Sequence, residues 1–174
     1  MHLIKTYCLP AFLLSSFFIV GCEVKVEKEL IVEKKYENGA IESRLVMKNG
    51  MKHGPVKLFY QNGNLKQEGN WAYDKQEGTW TFYYETGEVS AKVDFHNDQQ
   101  GHTVFFYRNG NIRQDGQIEN GLAQGLVKHY YEDGQLKEES QWMKNKRHGT
   151  TIYFDSLTHK GDTILYDNGT LIKK

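Results

Sequence analysis

Two interleaved glycine series constrain this chain more than anything else in it. The first, Gly39, Gly63, Gly87, Gly110 and Gly134, advances by 24, 24, 23 and 24 residues; the second, Gly54, Gly78, Gly101, Gly125 and Gly149, by 24, 23, 24 and 24. A period held this strictly marks a tandem array, in which each unit buries its apolar surface against the next. Five units are distinct. After Phe154 the pattern departs, and the closing YDNGTLIKK restates the turn around Gly169 as a degenerate capping unit.

Each unit reads as two strands. Asn62-Gly63, Asn109-Gly110, Asp133-Gly134 and Asn168-Gly169 are short-hairpin signals, because Asn, Asp and Gly tolerate the left-handed backbone that tight hairpins need. Glycine recurs often, and apolar residues alternate with polar ones at period two rather than 3.6, which disfavours helix throughout. Two residues after each first-series glycine stand Ile41, Leu65, Val89, Ile112 and Leu136, and eight after stand Met47, Trp71, Phe95, Ile118 and Trp142. Even offsets place all ten on one face; Lys66, Glu68, Asn70, Arg113, Asp115 and Gln117, at odd offsets, point the other way.

The strand before each turn depends on the turn's length. A two-residue turn sets Tyr60 opposite Leu65, gathers Val56, Leu58, Tyr60, Trp80, Phe82 and Tyr84 on the apolar face, and turns Phe59 outward opposite Lys66. A three-residue turn exchanges those faces. Thr86 before Gly87 favours the longer turn in its unit, because a β-branched residue resists positive φ. The apolar pattern as a whole favours the shorter one, which is the register adopted. The 23-residue interval predicts a bulge or shortened loop around His96 to Gly101. The expected fold is all-β: tandem hairpins forming one elongated, twisted antiparallel meander of ten to twelve strands, five units spanning about 50 Å.

The first 21 residues read differently. A short start with Lys5, an apolar run from Cys8 to Val20 and the sequence Ile19-Val20-Gly21-Cys22 have the pattern of a secretory signal peptide. The tetrad resembles the lipobox of bacterial lipoproteins, and that resemblance implies cleavage before Cys22 and a lipid on its thiol. Domain boundaries follow: 1–21 signal peptide, 22–31 lipidated N-terminus and tether, 32–174 repeat domain. The expected location is the bacterial cell envelope, lipid-anchored to a membrane and facing away from the cytoplasm. The lysines, arginines and acids balance to zero net charge, so no basic footprint points to nucleic acid.

The unit, quoted best as GTWTFYYETGEVSAKVDF from Gly78 to Phe95, resembles the MORN-repeat variant found in bacterial proteins of the YwqK antitoxin type. The resemblance covers residues 32–174 and implies a non-catalytic protein-binding array, in the named case one that neutralises a toxin. An export signal and lipobox depart from a cytoplasmic antitoxin.

Chemistry is sparse. No nucleophile elbow, phosphate-cradling loop or paired-cysteine motif is present, so neither an enzyme nor a cofactor is expected. His53 and His148 lie four units apart, about 38 Å by the strand spacing. His96 and His102, with Asp94 and Asp98, read as a solvated loop before they read as a metal site. The feature that stands out is an aromatic column, Phe59, Tyr83, Phe106, Tyr130 and Phe154, emerging on the polar face with Lys66, Arg113 and Lys137 directly across from three of its members. Rings beside cations suit contact with protein or with sugar rings; with the resemblance and the expected location, the expected partner is a protein, a toxin or an envelope protein. The same column can also pack on itself and rest on lysine stems, and under the other register Tyr60, Tyr84, Tyr107 and Tyr131 become the exposed series. A structural envelope protein that assembles with further copies or rests on lipid is the second functional reading.

Overall fold

The structure, a computed structural model, describes residues 28–173. Cys22, the leader and most of the tether lie outside the described residues. Among the described residues thirteen strands follow one another: β1 (Glu29–Lys35), β2 (Ile41–Lys48), β3 (Met51–Phe59), β4 (Leu65–Ala72), β5 (Lys75–Tyr83), β6 (Val89–His96), β7 (Gln99–Phe106), β8 (Ile112–Glu119), β9 (Leu122–Tyr130), β10 (Leu136–Met143), β11 (Lys146–Phe154), β12 (Gly161–Asp167) and β13 (Thr170–Lys173). They form one antiparallel sheet whose spatial order is the chain order, with no crossover. The all-β meander read from the sequence is this sheet, with thirteen strands among the described residues where about ten to twelve were expected. β1 takes in Glu29 to Ile31, three residues that the sequence reading gave to the tether.

The turns differ from expectation in kind. At the first-series glycines the loop is the longer one. Tyr60 N–H donates to Asn64 O (2.8 Å), Gly63 N–H donates to Tyr60 O (3.0 Å), and Gly63 alone carries positive φ, at 86°. Asn62 serves by accepting the Asn64 amide on its Oδ1 (2.9 Å), not by adopting a left-handed backbone. Two-residue turns with both φ positive lie instead at the opposite end of the strands, at Asn49-Gly50, Tyr73-Asp74, Asn97-Asp98, Asn120-Gly121, Lys144-Asn145 and Asn168-Gly169.

The longer turn leaves the strand bodies in the expected register, because a bulge cancels it. Phe59 faces Leu65, yet Leu58 faces Gln67 and Val56 faces Gly69, so Lys66 is the extra residue. Ser90, Arg113 and Lys137 are extra in the same way in the following hairpins. Beyond the bulge Val56, Trp80, Thr103, Val127 and Thr151 hold one repeat position and are 0 to 3% exposed. A flat single sheet would leave both faces wet, so burial this deep requires the sheet to coil until side chains of neighbouring units cover one another.

Trp80 anchors this core. Its ring lies directly over Gly69, where an added Cβ would sit 2.3 Å from it, and it meets Trp71 and Phe95 edge-on at 5.3 and 6.0 Å. Removing about 200 Å² of aromatic surface from water is worth roughly 5 kcal/mol as an upper bound.

A second bulge absorbs the odd spacing of the repeat. Between Leu45↔Val56 and Met47↔Lys52 the ladder gains two residues on β3, and β5, β9 and β11 do the same. β7 gains only one, between Val93↔Thr103 and Phe95↔Gln100. Gly54, Gly78, Gly125 and Gly149 take positive φ in the wide bulge, whereas Gly101, in the narrow one, does not. The missing residue of the 23-residue interval is therefore taken out of the bulge, while the Asn97-Asp98 turn keeps its length.

Candidate functional site

The coiled sheet has an inner apolar face and an outer polar one. On the outer face, Lys57 approaches Glu68 at 3.4 Å, Lys128 approaches Glu139 at 3.6 Å, Thr79 donates to Asp94 at 2.6 Å, and His102 Nε2 meets Asp115 at 2.5 Å. Between these pairs and the first-series turns runs the aromatic column of the sequence reading.

Tyr83 emerges there and donates its hydroxyl to Glu68 at 2.6 Å; burial, and then that carboxylate, push its phenol up to about 12. Tyr130 lines a cavity of about 290 Å³ with His102, Asp115, Gln117, Leu126 and Lys128. Phe59, Phe106 and Phe154 occupy the same strand-end position, and all five rings are half-buried.

Their cross-strand partners are not the expected ones. Leu65, Val89, Ile112 and Leu136 stand opposite Phe59, Tyr83, Phe106 and Tyr130, so these aliphatic residues leave the inner face and complete an aromatic-aliphatic stripe on the outer one. The bulge moves Lys66, Arg113 and Lys137 the other way. They lie over inner-face rings: Lys66 5.7 Å from Tyr60, Arg113 5.4 Å from Phe105, Lys137 5.4 Å from Tyr131. The cations expected beside the outer column thus belong to the inner surface, and the outer column is flanked by Lys57, Lys128 and their carboxylates.

The inner face carries two features that the sequence reading missed. A cavity of about 420 Å³ lies among Phe82, Tyr84, Ala91, Val93, Phe105 and Arg113. Each Tyr at the turn entrance reaches into the next unit: Tyr36, Tyr60, Tyr84, Tyr107 and Tyr131 donate their hydroxyls to the carbonyls of Phe59, Tyr83, Phe106, Tyr130 and Phe154 at 2.6, 2.7, 2.7, 2.8 and 3.0 Å. The signal for this ladder was in the sequence, in a Tyr that directly follows four of the five column rings, Phe154 being followed by Asp155 instead. A hydrogen-bonding role for it needs the coil to bring consecutive turns together.

The same turns are tied by amides, Asn62 and Asn64 both donating to Glu85 O at 3.1 and 2.9 Å, and Asn109 and Asn111 to Glu132 O at 2.7 and 2.8 Å. At the other end, Asp74 clips onto the preceding unit by accepting the Lys52 amide (2.8 Å) and donating its own to Lys52 O (2.9 Å). Asp98 with Gln76 and Asn145 with Ala123 repeat the clip.

Titratable groups form structural pairs. Arg147 donates to Glu138 at 2.7 Å and lies over Trp142, Tyr153 and Tyr166 at 5.3 to 5.8 Å. Burial works against the Arg147 charge, but Glu138 outweighs it and holds the guanidinium pKa above its ordinary value. Half-buried His129, beside this pair, is pushed below the ordinary imidazole value by burial. His96 pairs with Glu77 at 2.8 Å, away from the His102–Asp115 contact. Among the described residues no three His, Cys, Asp or Glu side chains gather where they could hold a metal ion.

Comparison with curated proteins finds no match. Comparison with protein families gives a MORN repeat variant four times in tandem, at residues 52–73, 76–97, 99–120 and 123–143. Each match starts at or next to a strand that follows a two-residue turn and spans one hairpin with its first-series glycine turn, so family unit and structural unit coincide. With these matches covering half its length, the chain belongs to the MORN repeat variant family.

Proposed function

We propose that this repeat sheet is a non-catalytic binding platform, tethered by lipid on Cys22 to a membrane of the bacterial envelope, whose outer face docks a protein partner. The observation that carries the reading is the recurrence of one half-exposed ring per unit, Phe59, Tyr83, Phe106, Tyr130 and Phe154, in line with flanking Lys–Glu pairs. A strip of evenly spaced rings framed by charges offers area burial at its centre and electrostatic registration at its rim. A single enzyme centre needs polar groups that converge, whereas here they repeat. The antitoxin resemblance points to a toxin met at the envelope as the partner.

The test is capture of partner protein from membranes by the tethered chain. Replacing Phe59, Tyr83, Phe106 and Tyr130 with serine is expected to abolish capture while the strand circular dichroism persists. Charge reversal by Lys57→Glu and Lys128→Glu reads the same surface without touching its packing. Undiminished capture by folded variants of both kinds overturns the reading. Metabolic labelling with palmitate tests the tether: Cys22→Ser should lose both label and membrane association, and an unlabelled wild-type chain would refute it.

A further inference from the structure

Among the described residues β1 is hydrogen-bonded on one side only, by β2. Which of its backbone groups remain free follows from the alternation of an antiparallel ladder. Lys28 donates its amide to Asn49 Oδ1 and accepts the Asn49 amide, and Tyr36 donates to Ala40 O, so the even-numbered residues turn their backbone groups inward. Glu29, Ile31, Glu33 and Lys35 therefore turn N–H and C=O away from the sheet.

The strand that presents them has an apolar centre. All seven residues are exposed, with Leu30, Ile31 and Val32 at 50, 70 and 43%. Leu30, Ile31 and Val32 carry no charge, proline or bulge, so whatever guards this edge against pairing is confined to the charges on either side of them. Its charges are divided. Glu33 is neutralised by Arg44 at 2.7 Å and Lys34 by Glu42 at 2.8 Å, whereas among the described residues Glu29 and Lys35, at the two ends, have no ion partner.

We propose that this edge pairs with β1 of a second copy, antiparallel about Val32, joining two sheets into one across a twofold axis. The register follows from backbone and charge together. Outward residues must face outward residues, which leaves three central alignments. Centring on Ile31 sets Glu29 against Glu33, and centring on Glu33 sets that residue against itself, so neither brings the unpaired Glu29 and Lys35 together. Centring on Val32 sets Glu29 against Lys35 at both ends, pairs Ile31 with Glu33, and matches every outward N–H and C=O, giving about eight inter-chain hydrogen bonds. An isologous contact of this kind closes at two copies, so it yields dimers and not filaments. It is independent of the outer-face stripe, which lies on the flat of the sheet and not on its rim.

The test is sedimentation of the full chain in detergent over a concentration series, expected to show a monomer–dimer equilibrium. Ile31→Pro removes an outward N–H while sparing the bonds to β2, and is expected to abolish the dimer with strand content unchanged. Glu29→Lys sets like charges opposite Lys35 and should weaken the dimer about tenfold; adding Lys35→Glu should restore it. Restoration by the swap is the register-specific outcome and decides the matter even if the proline variant fails to fold. A chain that stays monomeric, a dimer indifferent to Ile31→Pro, or a swap that does not rescue overturns the proposal. Capture by the outer face should survive the edge variants, so failure here and failure of the binding reading are separable.

Discussion

Replacing Tyr60, Tyr84, Tyr107 and Tyr131 of the inter-unit ladder by phenylalanine removes four hydroxyls' worth of coupling without altering a single ring. Tyr84→Phe deletes the 2.7 Å bond to Phe106 O and leaves the ring in place under Arg108, 5.1 Å away. A net intramolecular hydrogen bond contributes about 1 kcal/mol, and the part-buried carbonyl it abandons stays close enough to water to keep the loss near that figure. Tyr60, Tyr107 and Tyr131 make the same bond one unit apart, at 2.7, 2.8 and 3.0 Å, and sites this far apart add to within a few tenths of a kcal/mol. The fourfold variant should therefore lose about 4 kcal/mol, a large share of the 5–15 kcal/mol typical of a folded domain. Urea denaturation followed by the fluorescence of Trp71, Trp80 and Trp142 measures it. With a slope of about 2 kcal/mol per M, the midpoint should fall by about 2 M, with the slope itself unchanged. A fourfold variant within about 1 kcal/mol of the parent would show that the hydroxyls merely trade water for carbonyl, and that the units are held by backbone ladders and apolar contact alone.

The remaining predictions concern glycines and protons. Gly69→Ala drives a Cβ into the Trp80 ring and should cost about 1–3 kcal/mol with a changed near-ultraviolet circular dichroism; an unaltered spectrum would contradict the stacking. Gly125→Ala, at φ 69°, should cost about 1–2 kcal/mol, whereas Gly101→Ala, with no positive φ and its nearest atom 3.5 Å away, should stay within about 0.5 kcal/mol by the same denaturation assay. The Tyr83 phenol, raised in the folded chain, contributes stability that is complete below the ordinary tyrosine range and lost as pH climbs through about 12; ultraviolet titration should show two late phenolates, those of Tyr83 and of Tyr153, which burial also pushes up to about 12, and Glu68→Gln should move only the first of them earlier. His129 is depressed in the folded chain, so its contribution is complete above about pH 6.5 and lost on acidification through its lowered folded value; His129→Gln should flatten that limb of the stability profile.

The unit, its two strands and the face of its core could be read from the glycine period and the alternation around Trp71, Trp80 and Phe95. The path of the chain through each turn could not. A three-residue loop at Gly63 shifts the pairing by one, and the bulge at Lys66 shifts it back, so the strand bodies look the same as they would after a two-residue turn. Periodicity detects the sum of two shifts and is blind to a pair that cancels. The side chains between the shifts are the ones misplaced: Leu65 and its equivalents go outward, and Lys66, Arg113 and Lys137 go inward. Thr86 was the local clue to the longer loop, and that loop holds in all the first-series turns. The opposite turns were hidden for a different reason. Tyr73-Asp74 and Lys144-Asn145 lack glycine, and they hold a left-handed backbone in a context where Asp74 and Asn145 also bond the preceding unit.

Spatial order that repeats chain order makes the number of hairpins an adjustable quantity. Every strand finds its partners among its immediate neighbours in sequence, so assembly can zip from any hairpin without closing a long loop. Excising Lys75 to Asp98 would lay β4 beside β7 across the Tyr73-Asp74 turn and leave every other pairing as it was. Duplication or loss of such a block during replication would lengthen or shorten the ruler by about 10 Å without inventing a new fold.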